Sequence, residues 1–211
     1  MFFLYESKFT EIISKVFDCI MLSILWIFSS LPIITIGASS TAMIVTIEKV
    51  IRQDEGKIWN TYWCTFVREF RQATVLWLIR LFVYLIVALE LYILYCLNQE
   101  GYNTHKGVVS IALLAIALFT MWSQYWLPYL AKFTDRIPVI LKNTLLITLA
   151  NFWTGGIMLF LLILYLALFI FGALYMPPLV FLLPGIHCYI SGFFSRTVLN
   201  RFVTYESECP S

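Results

Sequence analysis

The 53 residues from Asn143 to Ser195 contain no Asp, Glu, Lys or Arg. A run that long without charge cannot be the surface of a water-soluble domain. Cys19 to Ile47 and Gly107 to Ala131 are charge-free in the same way. A helix that crosses the hydrocarbon core needs about 20 apolar residues, and a helix satisfies its own backbone polar groups where no water can. Composition agrees, with 61% of the chain apolar and 12% charged, against about a quarter charged in an ordinary soluble domain. The expected fold is therefore all-α, a polytopic transmembrane helix bundle in a single membrane domain.

The pattern along the chain divides this material into about six spans of membrane length, arranged as three hairpins, each preceded by an interfacial amphipathic helix. The spans are expected over 11–31, 36–52, 73–97, 107–130, 153–174 and 179–198, and the interfacial helices over 6–17, 58–72 and 137–152. Pro32 and Gly37 interrupt the first long apolar run and place the hairpin break there, since Pro removes a backbone donor and Gly loosens the helix. In 58–72, Trp59, Tyr62, Trp63, Phe66, Val67 and Phe70 form one face and Asn60, Thr61, Arg68, Glu69, Arg71 and Gln72 the other. That contrast suits a helix in the membrane plane, with Trp59, Trp63, Arg68, Arg71 and Trp77 as interfacial anchors. A five-span alternative treats Cys19 to Ile47 as one kinked crossing.

With both termini cytoplasmic, nearly all basic residues outside the spans face inward, Lys57 and Lys132 among them, and only Lys106 faces outward. The positive-inside rule selects that orientation, in the plasma membrane. Met1 to Tyr5 has no basic residue, so the first apolar helix is expected to stay in the mature protein rather than act as a cleaved signal. The net charge of +2 is too small, and too scattered, for nucleic acid to be a partner. Cys19, Cys64, Cys96, Cys188 and Cys209 are isolated, which makes them packing residues and indicates neither a disulfide framework nor a metal site.

Ionisable groups inside the spans are the candidate intramembrane polar site: Arg80, Glu90 and His187. Arg80 lies about two turns from the cytoplasmic end and can snorkel. Glu90 is short and should face the bundle interior, a partner or a water-filled pocket. His187 follows Pro184-Gly185, where a neutral imidazole could bond a freed carbonyl. No phosphate-binding glycine loop, H-E-x-x-H, G-x-S-x-G or metal-ligand cluster is present. Neither an enzyme nor a cofactor is expected.

Two blocks carry a resemblance: Ser30-Leu31-Pro32-Ile33-Ile34-Thr35-Ile36-Gly37-Ala38-Ser39, and Phe66-Val67-Arg68-Glu69-Phe70-Arg71-Gln72-Ala73-Thr74 with Leu76-Trp77-Leu78-Ile79 after it. They resemble the YesL-like family of bacterial multi-pass membrane proteins, a domain of unknown function. The resemblance implies an accessory role beside carbohydrate uptake, with a binding-protein-dependent transporter or its sensor kinase as partner. It supplies no catalytic residues. The alternative from another class is a small carrier or channel acting as a homo-oligomer.

Overall fold

In the computed structural model, α1 (Phe2–Ser29) ends in a turn and a short 3-10 segment (Ile33–Thr35) that leads into α2 (Ile36–Thr46), which widens into a π turn (Ile47–Arg52). There follow α3 (Ile58–Gln99), α4 (Lys106–Ser123), α5 (Trp126–Lys132), α6 (Ile137–Ala150), α7 (Phe152–Tyr175) and α8 (Pro177–Phe202). The structure describes residues 2–53, 56–99, 106–133, 135–175 and 177–202, with side chains described except at 2–12, 97–99, 106, 177–179 and 202. Residues 100–105, between the spans expected over 73–97 and 107–130, and Cys209 lie outside the described residues.

Every element named above is helical, as expected. Among the described residues, four segments are long and apolar enough to cross a membrane: Ile33–Arg52, Ile58–Cys96, Gly107–Lys132 and Phe152–Tyr175. Their outward faces carry large exposed apolar side chains, including Leu85, Leu114, Phe160 and Leu174. Both features suggest a membrane protein, because water would have to solvate that surface and lipid would not.

Two expected boundaries are absent. The interfacial helix at 58–72 and the span at 73–97 form one uninterrupted helix, α3, of 42 residues. Nothing between Lys57 and Gln99 is Gly or Pro, so no residue breaks the hydrogen-bond ladder. At 1.5 Å per residue α3 is about 63 Å long, twice the hydrocarbon thickness. The segment at 6–17 likewise runs straight on into α1. One boundary is new: the apolar run at 107–130 is broken at Gln124-Tyr125, where α4 gives way to α5. The expected helix at 137–152 appears as α6, with Pro138 in its first turn, where the missing N–H has no intrahelical partner to lose.

The amphipathic reading of 58–72 also needs correction. The stripe turned inward is Tyr62, Thr65, Glu69, Ala73 and Leu76, all buried, at the three-and-four spacing of one helix face. Trp59, Val67 and Phe70 are exposed, and Glu69, placed on the water side by composition, is 5% exposed. Its carboxylate accepts a hydrogen bond from Arg68 Nε–H at 2.6 Å. Periodicity identifies two faces of a helix but not which one meets another helix.

That other helix is α2, and it is the enclosed element of the fold. Eight of its residues are buried: Gly37, Ala38, Ser39, Thr41, Ala42, Met43, Val45 and Thr46. Ala38 joins a core with Ala73, Leu76, Tyr125, Trp126 and Leu130, whereas Ala42, Met43, Ile47 and Ile51 join a second one with Cys19, Leu22 and Tyr62. These contacts set α2 antiparallel to the first half of α3. Gly37 lies against Ala73 and Trp77 at one end, and Ile51 packs in the same cluster as Tyr62 at the other. The arm 36–52 is thus level with residues 58–77 of α3, not beside the span expected over 73–97.

The break at Pro32 is closed by polar side chains. The Thr35 hydroxyl sits 2.6 Å from the Ser29 carbonyl oxygen and 2.7 Å from that of Pro32. Trp77 Nε1–H donates to the Ile33 carbonyl at 2.9 Å, tying the turn to α3. A Cβ at Gly37 would lie 2.6 Å from Trp77 Cβ and closer still to the Ala73 carbonyl oxygen, so the backbones touch only because Gly stands there. Gly37→Ala is expected to force α2 from α3 and cost about 1–3 kcal/mol. Thermal unfolding in mild detergent measures this, and an unchanged midpoint would deny Gly37 that role.

Candidate functional site

Arg80 sits on α3 one turn beyond Trp77, half-buried where α3 meets α4 and α5. Its Nε–H donates to Tyr84 Oη at 3.3 Å. Tyr84 Oη lies 3.1 Å from Thr120 Oγ1, and Thr120 in turn donates to the Ile116 carbonyl at 2.6 Å. Because the Thr120 proton is committed to Ile116, Tyr84 must donate to Thr120 and accept from Arg80. A one-directional chain therefore holds the Nε edge of the guanidinium. The Trp77 and Tyr84 rings flank the charge, with centroids 6.0 and 5.6 Å from Cζ. Leu76, Trp77, Ser123, Trp126 and Leu127 close in beside it and leave no room for a water molecule.

Of the other two candidates, Glu90 lies apart, whereas His187 is near enough to feel the charge of Arg80. Glu90 is exposed on α3 with no partner among the described residues, so on a single chain it does not face the interior. It stands ten residues from Arg80, about 15 Å along the helix axis. His187 on α8 stacks on Tyr165, with ring centroids 4.5 Å apart. The expected bond from His187 to a freed carbonyl is not found among the described residues, and its Nε2 is buried without a partner. At Pro184-Gly185 it is α1 that supplies the contact: Gly185 N–H donates to Ser23 Oγ at 2.9 Å, and Ser23 donates to the Cys19 carbonyl at 2.8 Å. No described hydrogen bond or ion pair joins Arg80, Glu90 and His187.

A second polar locus escaped the sequence reading. In the π turn, Glu48 accepts from Arg52 at 3.2 Å and from Arg196 of α8 at 2.8 Å. Arg52 also donates to the Tyr189 carbonyl at 2.5 Å, and its guanidinium lies over the Tyr189 ring, 4.8 Å from the centroid. Nearby Lys132 of α5 donates to Asn200 of α8. By sequence these cations are merely cytoplasmic-side charges; the i, i+4 spacing of Glu48 and Arg52 could have revealed their pairing, but Arg196 could not have been joined to them. The extra residue per turn in a π segment turns side chains out of ordinary helical register, a feature common where a helix carries a special contact.

The fold and its apolar faces suggest a class, the all-helical proteins with helices long and apolar enough to cross a membrane. More particularly, residues 19–91 match the family described as "Protein of unknown function, DUF624". The matched stretch holds Pro32, Gly37, the Glu48–Arg52 pair, Glu69, Arg80 and Glu90. No curated protein matches the chain, and no solved structure does.

Glu48 neutralises two guanidinium groups, and Arg52 is only 8% exposed at its side chain. Glu48→Gln should lower stability by about 2–3 kcal/mol by leaving a buried cation uncompensated. Charge-conserving Glu48→Asp should recover part of the loss. Chemical unfolding of the two variants in detergent checks this, and equal stability of wild type and Glu48→Gln would show the pair to be idle.

Proposed function

We propose that this chain is a multi-pass plasma-membrane protein with six membrane-embedded helices and cytoplasmic termini, acting as an accessory or scaffold subunit in carbohydrate uptake or its sensing. The observation that carries a partner-binding role is Glu90. It is exposed on an α3 face that also presents Ile86, Leu89 and Ile93. An ionisable side chain facing lipid is costly, and such groups almost always face protein or a water-filled cavity. A second protein covering this face removes the penalty. The carbohydrate setting rests on the YesL-like resemblance alone, and the match over residues 19–91, to a family of unknown function, is compatible with a membrane protein.

Within this arrangement α2 is a protein-enclosed helix beside the first half of α3, and half of the Ile33–Arg52 segment is buried inside the chain. The lipid-facing work falls to the outer half of α3 and to α4 and α7. The rival reading, a carrier or channel, uses the same observation differently, with Glu90 covered by a second copy of the chain. No reaction is assigned.

Affinity purification of the tagged protein from native membranes in mild detergent should recover a transporter or sensor-kinase subunit, and Glu90→Leu should change that recovery. A homodimer that loses its partner on Glu90→Leu would favour the rival. Isolation as a lone monomer would defeat both. Orientation has its own test: a cysteine replacing Lys57 or Lys132 should resist impermeant maleimide in intact cells, and labelling from outside would reverse the topology.

A further inference from the structure

We infer that the protein covering Glu90 is a different polypeptide, whose membrane helix carries a lysine or arginine at the depth of Glu90, and that the two side chains form an ion pair. This rests on the partner-subunit reading above and names the chemistry of the partner. Alongside α3, α2 and the turn before it reach only to the level of Trp77. Beyond Arg80, Tyr84 ties α3 to Thr120 and Phe119 of α4. The flank that holds Glu90 is open, with Ile86 49% and Ile93 50% exposed one turn to either side of it.

Depth fixes what must cover that flank. The Tyr84–Thr120 contact sets the register of α3 against α4. Six residues further along α3, Glu90 stands level with Leu114 of α4, which is 62% exposed. From there α3 runs on for nine residues to Gln99, about 13 Å, so the short carboxylate lies well inside the helix end. Lipid chains cannot neutralise a charge at that depth, whereas a cation on a neighbouring helix can.

A second copy inserted the same way brings the same residues to the same depth, and this chain has no cation to offer there. Between Ala73 and Ala131 the only Lys or Arg are Arg80 and Lys106. Arg80 lies about 15 Å inward of Glu90, and Lys106, eight residues before Leu114, about 12 Å outward. Cys19 to Ile47 and Asn143 to Ser195 contain neither. His187 is taken up by its stacking on Tyr165 of α7. Two copies would set Glu90 against Glu90 or against apolar side chains, and like charges repel. The missing cation belongs to another chain.

The full-length tagged protein, with the photoreactive residue p-benzoylphenylalanine in place of Ile86 or Ile93, is irradiated in its native membranes, and the cross-linked peptide is sequenced by mass spectrometry. The expected adduct is a peptide of another membrane protein with Lys or Arg inside an apolar run. Glu90→Gln keeps the size and removes the charge. It should lower the adduct yield about tenfold, the loss of one charge-assisted contact, while Glu90→Asp should keep part of it. Glu90→Arg should abolish the adduct, and a glutamate at the mapped basic position of the partner should restore it. Undiminished cross-linking by Glu90→Gln, or a partner peptide without a basic residue, overturns the ion pair and leaves the partner-subunit reading standing. An adduct with a second copy, or none with any protein, ends both. Glu90 has no partner among the described residues, so Glu90→Gln purified alone in detergent should keep the wild-type thermal midpoint. A lowered midpoint would place the bond of Glu90 within its own chain and overturn the inference.

Discussion

The fold depends on how closely α2 can approach its neighbours. Along α2 the buried positions are Gly, Ala, Ser, Thr, Met and Val, so its surface is thin on most sides and several helices can surround it at once. In an apolar medium there is little hydrophobic force to drive helices together, and close contact through small residues supplies dispersion instead. The same device recurs at Gly185, where a Cβ would meet Ser23 Oγ and the Cys19 carbonyl. Two glycines thus set two crossings, α2 with α3 and α1 with α8.

Hydroxyl groups inside such a bundle must find partners without water, and several find them in their own helices, although those of Thr74 and Tyr125 are buried without a described partner. Ser29, Thr41, Thr46, Thr120, Thr144 and Thr148 each donate to the carbonyl four residues earlier. This back-bonding lets small polar residues pack at helix contacts without an orphaned donor. It also frees their lone pairs to accept: Thr144 takes the Trp122 indole N–H at 3.1 Å, and Thr120 takes Tyr84. Each such pair links neighbouring helices through a residue already satisfied within its own.

Two arginines show opposite solutions to one electrostatic problem. Arg52 is nearly buried and saturated, with a carboxylate, a backbone carbonyl and an aromatic face around it. It serves as a fastener between the π turn and α8. Arg80 is more open, has aromatic faces and a phenol, and lacks a described carboxylate. Part of the difference is legible locally, since Glu48 stands four residues before Arg52 and no acidic residue stands within four of Arg80; the contacts of this locus with Arg196 and Tyr189 are not.

By itself the sequence determined the helical class, the apolar segments and most of their ends. Local rules suffice there: charge-free runs of membrane length, Pro32 as a break, Pro138 as a first-turn residue, and Tyr84 one turn from Arg80 are all read within a few positions of the chain. What only the tertiary structure decided is which faces meet. It turned Glu69 inward, set 36–52 beside 58–77, joined Arg196 to Glu48 across the fold, and brought Trp126 and Ser123 to Arg80. The reason is physical. A uniformly apolar helix has no strong amphipathic moment to orient it, so its rotation and depth are chosen by the shape of the helices it touches, and that shape is not written at any one position.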